Sequence, residues 1–354
     1  MDIKIDSFPG REIHIEGKPY LYFGGTSYLG LQDLPEFQEL FIKNVRNYGT
    51  NYGASRKSNV QFSVYEDAEN HLAKLVGSEA CITLSSGYLA GQFLSVYMES
   101  KKYKLFYVPN THAALFRKKS KTYVTYTSLN FALESHLNST NRAAPVLFLD
   151  AIDFSGGNFP DFQGLKNLPL SKLIVVVDDS HGIGVIGSKG GGVYRTLSKL
   201  GAKQLFVCCS LGKGFGIQAG AIFGNKRDLD ILENTPLYGG SSPASPCAMA
   251  TLLEAAPIYE NRRDRLKQNL GFFLKNLATN KKLRYMNGHP TISFQNASLV
   301  AYLLKHQIIV TDFKYPDEDS ETMSRIVISA NHTIADMESL IQLLNSFNYE
   351  YRKN

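Results

Sequence analysis

No stretch of this 354-residue chain reaches the roughly 18 consecutive apolar residues of a membrane-spanning helix. The N-terminus, MDIKIDSFPG, lacks the apolar core of a secretory signal. These absences predict a cytoplasmic protein with no membrane partner. Cysteine is scarce. Cys81, Cys208, Cys209 and Cys247 show no metal-ligand spacing, so no metal is expected. Three of them, Cys81, Cys208 and Cys209, lie in strand-like apolar runs, where a thiol acts as a small buried hydrophobe, and this fits a reducing compartment. Strong charge bias is missing too. The net charge is +6, and Lys and Arg are scattered apart from short runs such as Arg117-Lys118-Lys119. Nucleic acid is therefore not an expected partner; that run is a solvated face or a site for an anionic substrate. There is no internal repeat and no low-complexity linker.

What is present is an ordinary globular composition, 44% hydrophobic and 20% charged, long enough for one large domain or two modest ones. Residues 11–15 and 20–23 alternate apolar and polar around Gly17-Lys18-Pro19, a hairpin pattern. Residues 35–47 look helical, and 62–76 place Val64, Ala68, Leu72, Leu75 and Val76 on one helical face. Short apolar runs follow at 81–84, 104–108, 123–127, 146–149, 173–177, 205–209 and 219–223, most of them separated by helix-length or loop-length connections. They predict an α/β fold: a mainly parallel seven-stranded sheet with helices on both faces. The last two runs are too close for a helical crossover, so one edge strand is expected to be antiparallel. Beyond residue 245 come a long helical stretch (246–278), short strands (292–294, 307–311, 324–329) and a final helix (334–347), a smaller α+β pattern. The expected division is a large domain over 38–245, a small domain over 246–354, and an N-terminal segment, 1–37, packing with the small domain.

In open parallel sheets, ligands bind outside the carboxyl ends of the strands. Three strand ends carry suggestive groups. LFVCC runs into Ser210-Leu211-Gly212-Lys213, with Gly214 and Gly216 beyond. Lys213 there is either a surface lysine in a flexible loop or an amine whose surroundings favour Schiff-base chemistry. LIVVV runs into Asp178-Asp179-Ser180-His181-Gly182. Alone, this could be a magnesium-binding acid pair of a nucleotide hydrolase, but such an enzyme should also carry a GxxxxGK[ST] loop, and none is present. CITL runs into Ser85-Ser86-Gly87-Tyr88 and a helix, either a plain turn or an anion cradle. An acid, a histidine, a phosphate cradle and a turn lysine together describe a site for pyridoxal 5′-phosphate (PLP).

Seven motifs then stand in order: TSYLGL (26–31), YGASR (52–56), SSGYLAG (85–91), THAAL (111–115), DDSHGIGVIG (178–187), SLGKGFG (210–216) and SRIVISANHT (324–333). On these the chain resembles the α-oxoamine synthases, PLP enzymes of the aspartate-aminotransferase fold (fold type I), from about residue 20 onward. The resemblance implies that Lys213 holds PLP as a Schiff base and later serves as general base. Asp178 would pair with the pyridine nitrogen, His181 would bond the ring oxygen, and His112 would stack on the ring. Ser86, Gly87, Tyr88 and Ser210 would cradle the phosphate, with Ser241 reaching it from a partner subunit. Arg325 would bind the substrate carboxylate, with Thr26 nearby. Asp179 would lie behind the site or at the surface. The implied activity is a decarboxylative, Claisen-type condensation of a small amino acid with an acyl-CoA or acyl-carrier thioester. The family is homodimeric with active sites at the interface. An aminotransferase or lyase on the same fold is the alternative activity, and a non-catalytic PLP-binding protein is a further one.

Several positions depart from the family pattern. Thr26-Ser27 stands where Asn-Asp is usual, and Phe154 where a small polar residue is common. Gly239-Gly240-Ser241-Ser242 precedes Pro243 where Ser-Thr-Ser is usual. Much of the family's N-terminal helix also has no counterpart. The cofactor half is thus expected to be intact and the substrate half altered.

Overall fold

The computed structural model describes residues 3–109, 111–116, 123–278, 282–315 and 319–350. The Arg117-Lys118-Lys119 run lies outside them. The strands in chain order are β1 (Glu12–Ile15), β2 (Lys18–Phe23), β3 (Ala80–Leu84), β4 (Lys104–Tyr107), β5 (Pro145–Asp150), β6 (Ile174–Asp178), β7 (Gln204–Ser210), β8 (Gly220–Gly224), β9 (Arg284–Tyr285), β10 (Thr291–Phe294), β11 (Ile308–Lys314) and β12 (Thr322–Val327). The chain forms two compact units. One comprises Glu39–Asp153 and Gly157–Ala256; the other comprises Met1–Gln38, Phe154–Gly156 and Pro257–Asn354.

The larger unit is built on a sheet of order β3-β8-β7-β6-β5-β4. Strands β4 to β7 are parallel, and β8 is antiparallel to both neighbours. Every residue of β6 and β8 is buried, as continuous apolar runs between covered faces require. The helix Gly87–Ser100 contributes Ala90, Phe93, Leu94 and Met98 to a core shared with Ile82, Phe148, Val176 and Phe206.

The α/β class holds, with two corrections. Among the described residues the sheet has six strands, not seven, because 123–127 is not a strand. Thr125 caps a helix, Tyr126–Asn138, in a reciprocal pair with Ser128. Val124, which a central strand would bury, is 89% exposed. The antiparallel strand is β8, as the short connection after β7 dictates, but it is not at the edge: β3 pairs along its far side, with Ile82 opposite Ile222.

The smaller unit has a second sheet, β1-β2-β11-β12-β10-β9. The β1–β2 hairpin joins it through parallel pairing of β2 with β11. Phe23, Ile292, Phe294, Ile326 and Ile328 pack there with Leu303 of the helix Ala297–Lys305 and with Met337, Leu340 and Leu344 of Ile334–Glu350.

One buried ion pair ties the helix Val64–Val76 to β3. Arg56 meets Glu69 through two hydrogen bonds, at 2.7 and 3.0 Å, with both side chains only 10% exposed. Glu69 Oε1 also accepts from the Thr83 N–H and hydroxyl, and the Arg56 guanidinium stacks 4.2 Å above the Tyr65 ring. Removing one partner strands the other charge, at a cost of about 3–5 kcal/mol. Glu69→Ala is therefore expected to destabilise the larger unit by that amount in urea denaturation. The exposed pair Lys43–Glu254 offers the contrast: Glu254→Ala should cost about 0–1 kcal/mol.

Candidate functional site

In the larger unit, β5 and β6 run parallel with Asp150 opposite Asp178, so both strands end in a carboxyl group at the same level. Asp178 Oδ1 accepts from the Ser180 N–H at 2.8 Å. Ser180 Oγ accepts from the Ser210 N–H at 2.9 Å, which ties the turn after β6 to the end of β7. Ser210 then caps the single turn Leu211–Gly214, its Oγ accepting from the Gly212 N–H at 3.3 Å. Lys213 sits on that turn, and its Nζ lies 2.8 Å from His181 Nε2. A lysine ammonium and a histidinium are both pure donors, so a hydrogen bond between them requires one of the two to give up a proton.

Glycine makes this approach possible. A Cβ on Gly214 would stand 2.1 Å from Ile183 O, so the lysine turn and the turn carrying His181 touch backbone to backbone. A Cβ on Gly87 would likewise stand 2.5 Å from the Ser210 Cα, which brings the Ser85–Tyr88 turn to the same place. Ser86 caps the helix Gly87–Ser100, accepting from the Leu89 N–H at 3.1 Å. The Gly87 and Tyr88 N–H groups have no acceptor among the described residues. They stand at the N-terminus of a 14-residue helix, where the helix dipole favours negative charge.

His112 Nδ1 accepts from the Ala114 N–H at 3.0 Å, and the His112 N–H donates to Asp150 Oδ2. The donor atoms of His112, Asp150 and Asp178 all lie within 4.8 Å of one another. Those are the donors of a metal site, but Lys213 adds its own cation, which acts on Asp150. Asp150 was not singled out from sequence. Its signal was PVLFLD, an apolar run that ends in an acid as LIVVVD does. The protein packed around its carboxyl, and next the Asp178 charge, raise its pKa well above the carboxylate range.

The Ser241 hydroxyl donates to Leu237 O at 2.5 Å, while the carbonyl of the next residue, Ser242, accepts from the Ser85 N–H at 3.1 Å. Arg325 and Thr26 belong to the smaller unit. Arg325 stands on β12 between Ser293 and Thr311, and Thr311 Oγ1 accepts from the Gly25 N–H beside Thr26.

The family model for aminotransferase class I and II matches residues 27–344. The chain belongs to that family. Among curated relatives it is 26% identical to an 8-amino-7-oxononanoate synthase of Thermosipho melanesiensis, over 96% of this chain and 90% of that one. It is 27% identical to another of that name from Aliivibrio fischeri, over 94% and 90%. Among solved structures, a serine palmitoyltransferase from Sphingomonas wittichii shares the fold at a TM-score of 0.78 and 17% identity, covering 95% of this chain and 89% of that one.

Asp179 is buried rather than superficial. Its Oδ2 accepts from the Val193 N–H at 2.9 Å, and its Oδ1 has no hydrogen-bond partner. Burial first, and Asp178 after it, push its pKa from 3.8 to about 8. Below pH 4 the carboxyl is protonated in both folded and unfolded chains. Between pH 4 and 8 the unfolded chain ionises while the folded one stays neutral, so stability declines across that window. Asp179→Asn is expected to remove most of this decline, a matter of a few kcal/mol. Denaturant melts at pH 5 and pH 8 check it: the gap between the two pH values should shrink in the variant.

Proposed function

We propose that this member of the aminotransferase class I and II family is a PLP-dependent acyltransferase. It would condense a small amino acid with an acyl thioester, on coenzyme A or a carrier protein, to give an α-oxoamine, free thiol and CO2. The observation that carries this is the Lys213 Nζ–His181 Nε2 pair at 2.8 Å, set at the same strand ends as Asp178. The names of the relatives, 8-amino-7-oxononanoate synthase and serine palmitoyltransferase, support acyl transfer as the reaction class.

The residues fit the cofactor. The site offers an amine, a buried carboxyl, two imidazoles and two unclaimed N–H groups at a helix N-terminus, beside a glycine whose Cβ would collide with Ser210. PLP, when bound, supplies an aldehyde for amines and a ring that accepts electrons from a breaking C–H bond. Lys213 Nζ would hold that aldehyde and would serve as the base for the amino acid's α-proton. His181 Nε2 holds Lys213 in place and can exchange a proton with it. Asp178 would pair with the ring nitrogen, and His112 would stack on the ring. The Gly87 and Tyr88 N–H groups would hold the phosphate at the positive end of their helix, helped by the hydroxyls of Ser86, Ser210 and Ser241. Arg325 takes the amino acid's carboxylate as a bidentate partner, with Thr26 beside it. The working form is a cytoplasmic homodimer with active sites at its interface.

Purified protein should show a visible absorption of bound PLP that shifts with glycine, alanine or serine. With an acyl-CoA panel, the responsive amino acid should release thiol. Lys213→Ala should abolish the band and lower thiol release by at least about 10²–10⁴-fold. Arg325→Ala should raise the amino-acid KM roughly 10- to 100-fold, the worth of a charge-assisted bidentate contact. Production of an oxo acid without any thiol would replace acyl transfer with amino transfer. A protein whose band ignores every amino acid would be a binder, not an enzyme.

A further inference from the structure

We infer that Phe154 is a positioning residue for Arg325: its ring fixes the plane of the guanidinium, so that a carboxylate meets the in-plane N–H fork and not a freely turning cation. The inference rests on the reading of Arg325 as the carboxylate site.

The geometry lies within the smaller unit. Ser293 on β10 and Arg325 on β12 are directly opposed across the sheet, so their side chains leave the same face. Both grip the same residue. Ser293 Oγ donates to Phe154 O at 2.9 Å, and Arg325 Cζ stands 3.4 Å from the centroid of the Phe154 ring. The ring also meets the buried His289 edge-on, 5.9 Å between centroids at 76°. His289 packs in turn against Tyr28 at 5.4 Å and 75°. Phe154 has φ of +56°, a left-handed backbone that is costly for a bulky side chain. Such a conformation persists only where its surroundings over-determine it, and a held carbonyl plus a ring stacked on one side and met on another do so.

Arg325 needs what Phe154 provides. It is partly buried, and among the described residues no carboxylate pairs with it. Burial draws its pKa down to about 10, with Tyr28 opposing weakly. A cation removed from water without a counter-ion is destabilised, and an aromatic face returns part of the loss. That face also occupies one side of the guanidinium. The five N–H donors lie in the plane, at its rim, and stay free of the ring. A carboxylate then docks on a fork whose orientation is already set, with less side-chain freedom to lose. The small polar side chain that the resemblance leads one to expect at position 154 could offer neither the stacking face nor this restraint.

The test is spectroscopic titration of PLP-loaded protein with glycine, alanine and serine, and with methylamine, ethylamine and ethanolamine, which match them without the carboxylate. Phe154→Leu should weaken the amino acids about 3- to 30-fold and leave the amines unchanged. Phe154→Tyr should stay within about 2-fold of wild type, since it keeps the stacking face. Should Phe154→Leu fail to fold, Phe154→Met takes its place with the same expectation. Equal amino-acid affinity in wild type and Phe154→Leu, or equal losses for acids and amines, overturns the inference. Arg325→Ala separates it from the reading beneath it. If that variant binds amino acids as wild type does, Arg325 is not the carboxylate site and the inference falls with it. If Arg325→Ala loses affinity and Phe154→Leu does not, only the role of Phe154 falls.

Discussion

Three turns at the carboxyl end of one sheet approach one another at backbone contact distance, and the chemistry of the larger unit depends on that approach. A side chain on Gly214 or on Gly87 would force the turns apart, because each Cβ would fall 2.1–2.5 Å from another backbone or side-chain atom. With the glycines in place, Ser180 reaches the Ser210 N–H, and Lys213 comes within 2.8 Å of His181. Lys213 therefore sits where three turns meet. The parallel pairing of β6 with β7, and β3 running the same way across the antiparallel β8, bring the three turns to one end of the sheet, and hydrogen bonds join those after β6 and β7.

The same closeness crowds acids together, and that raises their pKa values. Asp150, Asp178 and Asp179 stand together at the ends of β5 and β6, and three adjacent carboxylates would repel strongly in a buried place. Burial and, after it, the Asp178 charge raise the pKa of Asp150 and of Asp179 above the ordinary carboxylate value.

How much of this could be read in advance depended on how local each cause was. The runs of β5 to β8 were legible because burial on both faces demands continuous apolar residues. YVTYT at 123–127 has the same β-branched and aromatic content, yet Thr125 and Ser128 cap a helix there, and that three-residue spacing was the better signal. The direction of β8 followed from its short connection. Its interior place did not, because pairing with β3 joins segments some 140 residues apart in sequence. Lys213, His181 and Asp178 were legible because each pairs an informative side chain with the end of an apolar run. Asp150 has the same setting, but as a lone acid without a neighbouring histidine it drew no attention. The grip of Phe154 on Arg325 was out of reach: it depends on the register of β10 against β12 and on a left-handed backbone at a residue that gives no hint of one.

Of the departures from the α-oxoamine synthase pattern, Gly239-Gly240 lies in the larger unit and the others in the smaller one. Lys213, His181, Asp178, His112 and the Gly87–Tyr88 turn all lie in the larger unit and keep the expected residue types. Thr26 and Phe154 both belong to the smaller one, although Phe154 follows β5 by only four residues in sequence. Had the chain simply lost its function, substitutions would fall in the lysine turn as readily as around Arg325. The lysine turn is unchanged, whereas Phe154 makes a specific contact with the group that would recognise the amino acid: its ring lies against the guanidinium. An arginine left partly buried, without a carboxylate partner among the described residues and with an aromatic face laid over it, is costly to retain unless an anion arrives to complete it. The altered residues therefore argue for a changed choice of substrate on a retained chemistry, rather than for a fold that has outlived its activity.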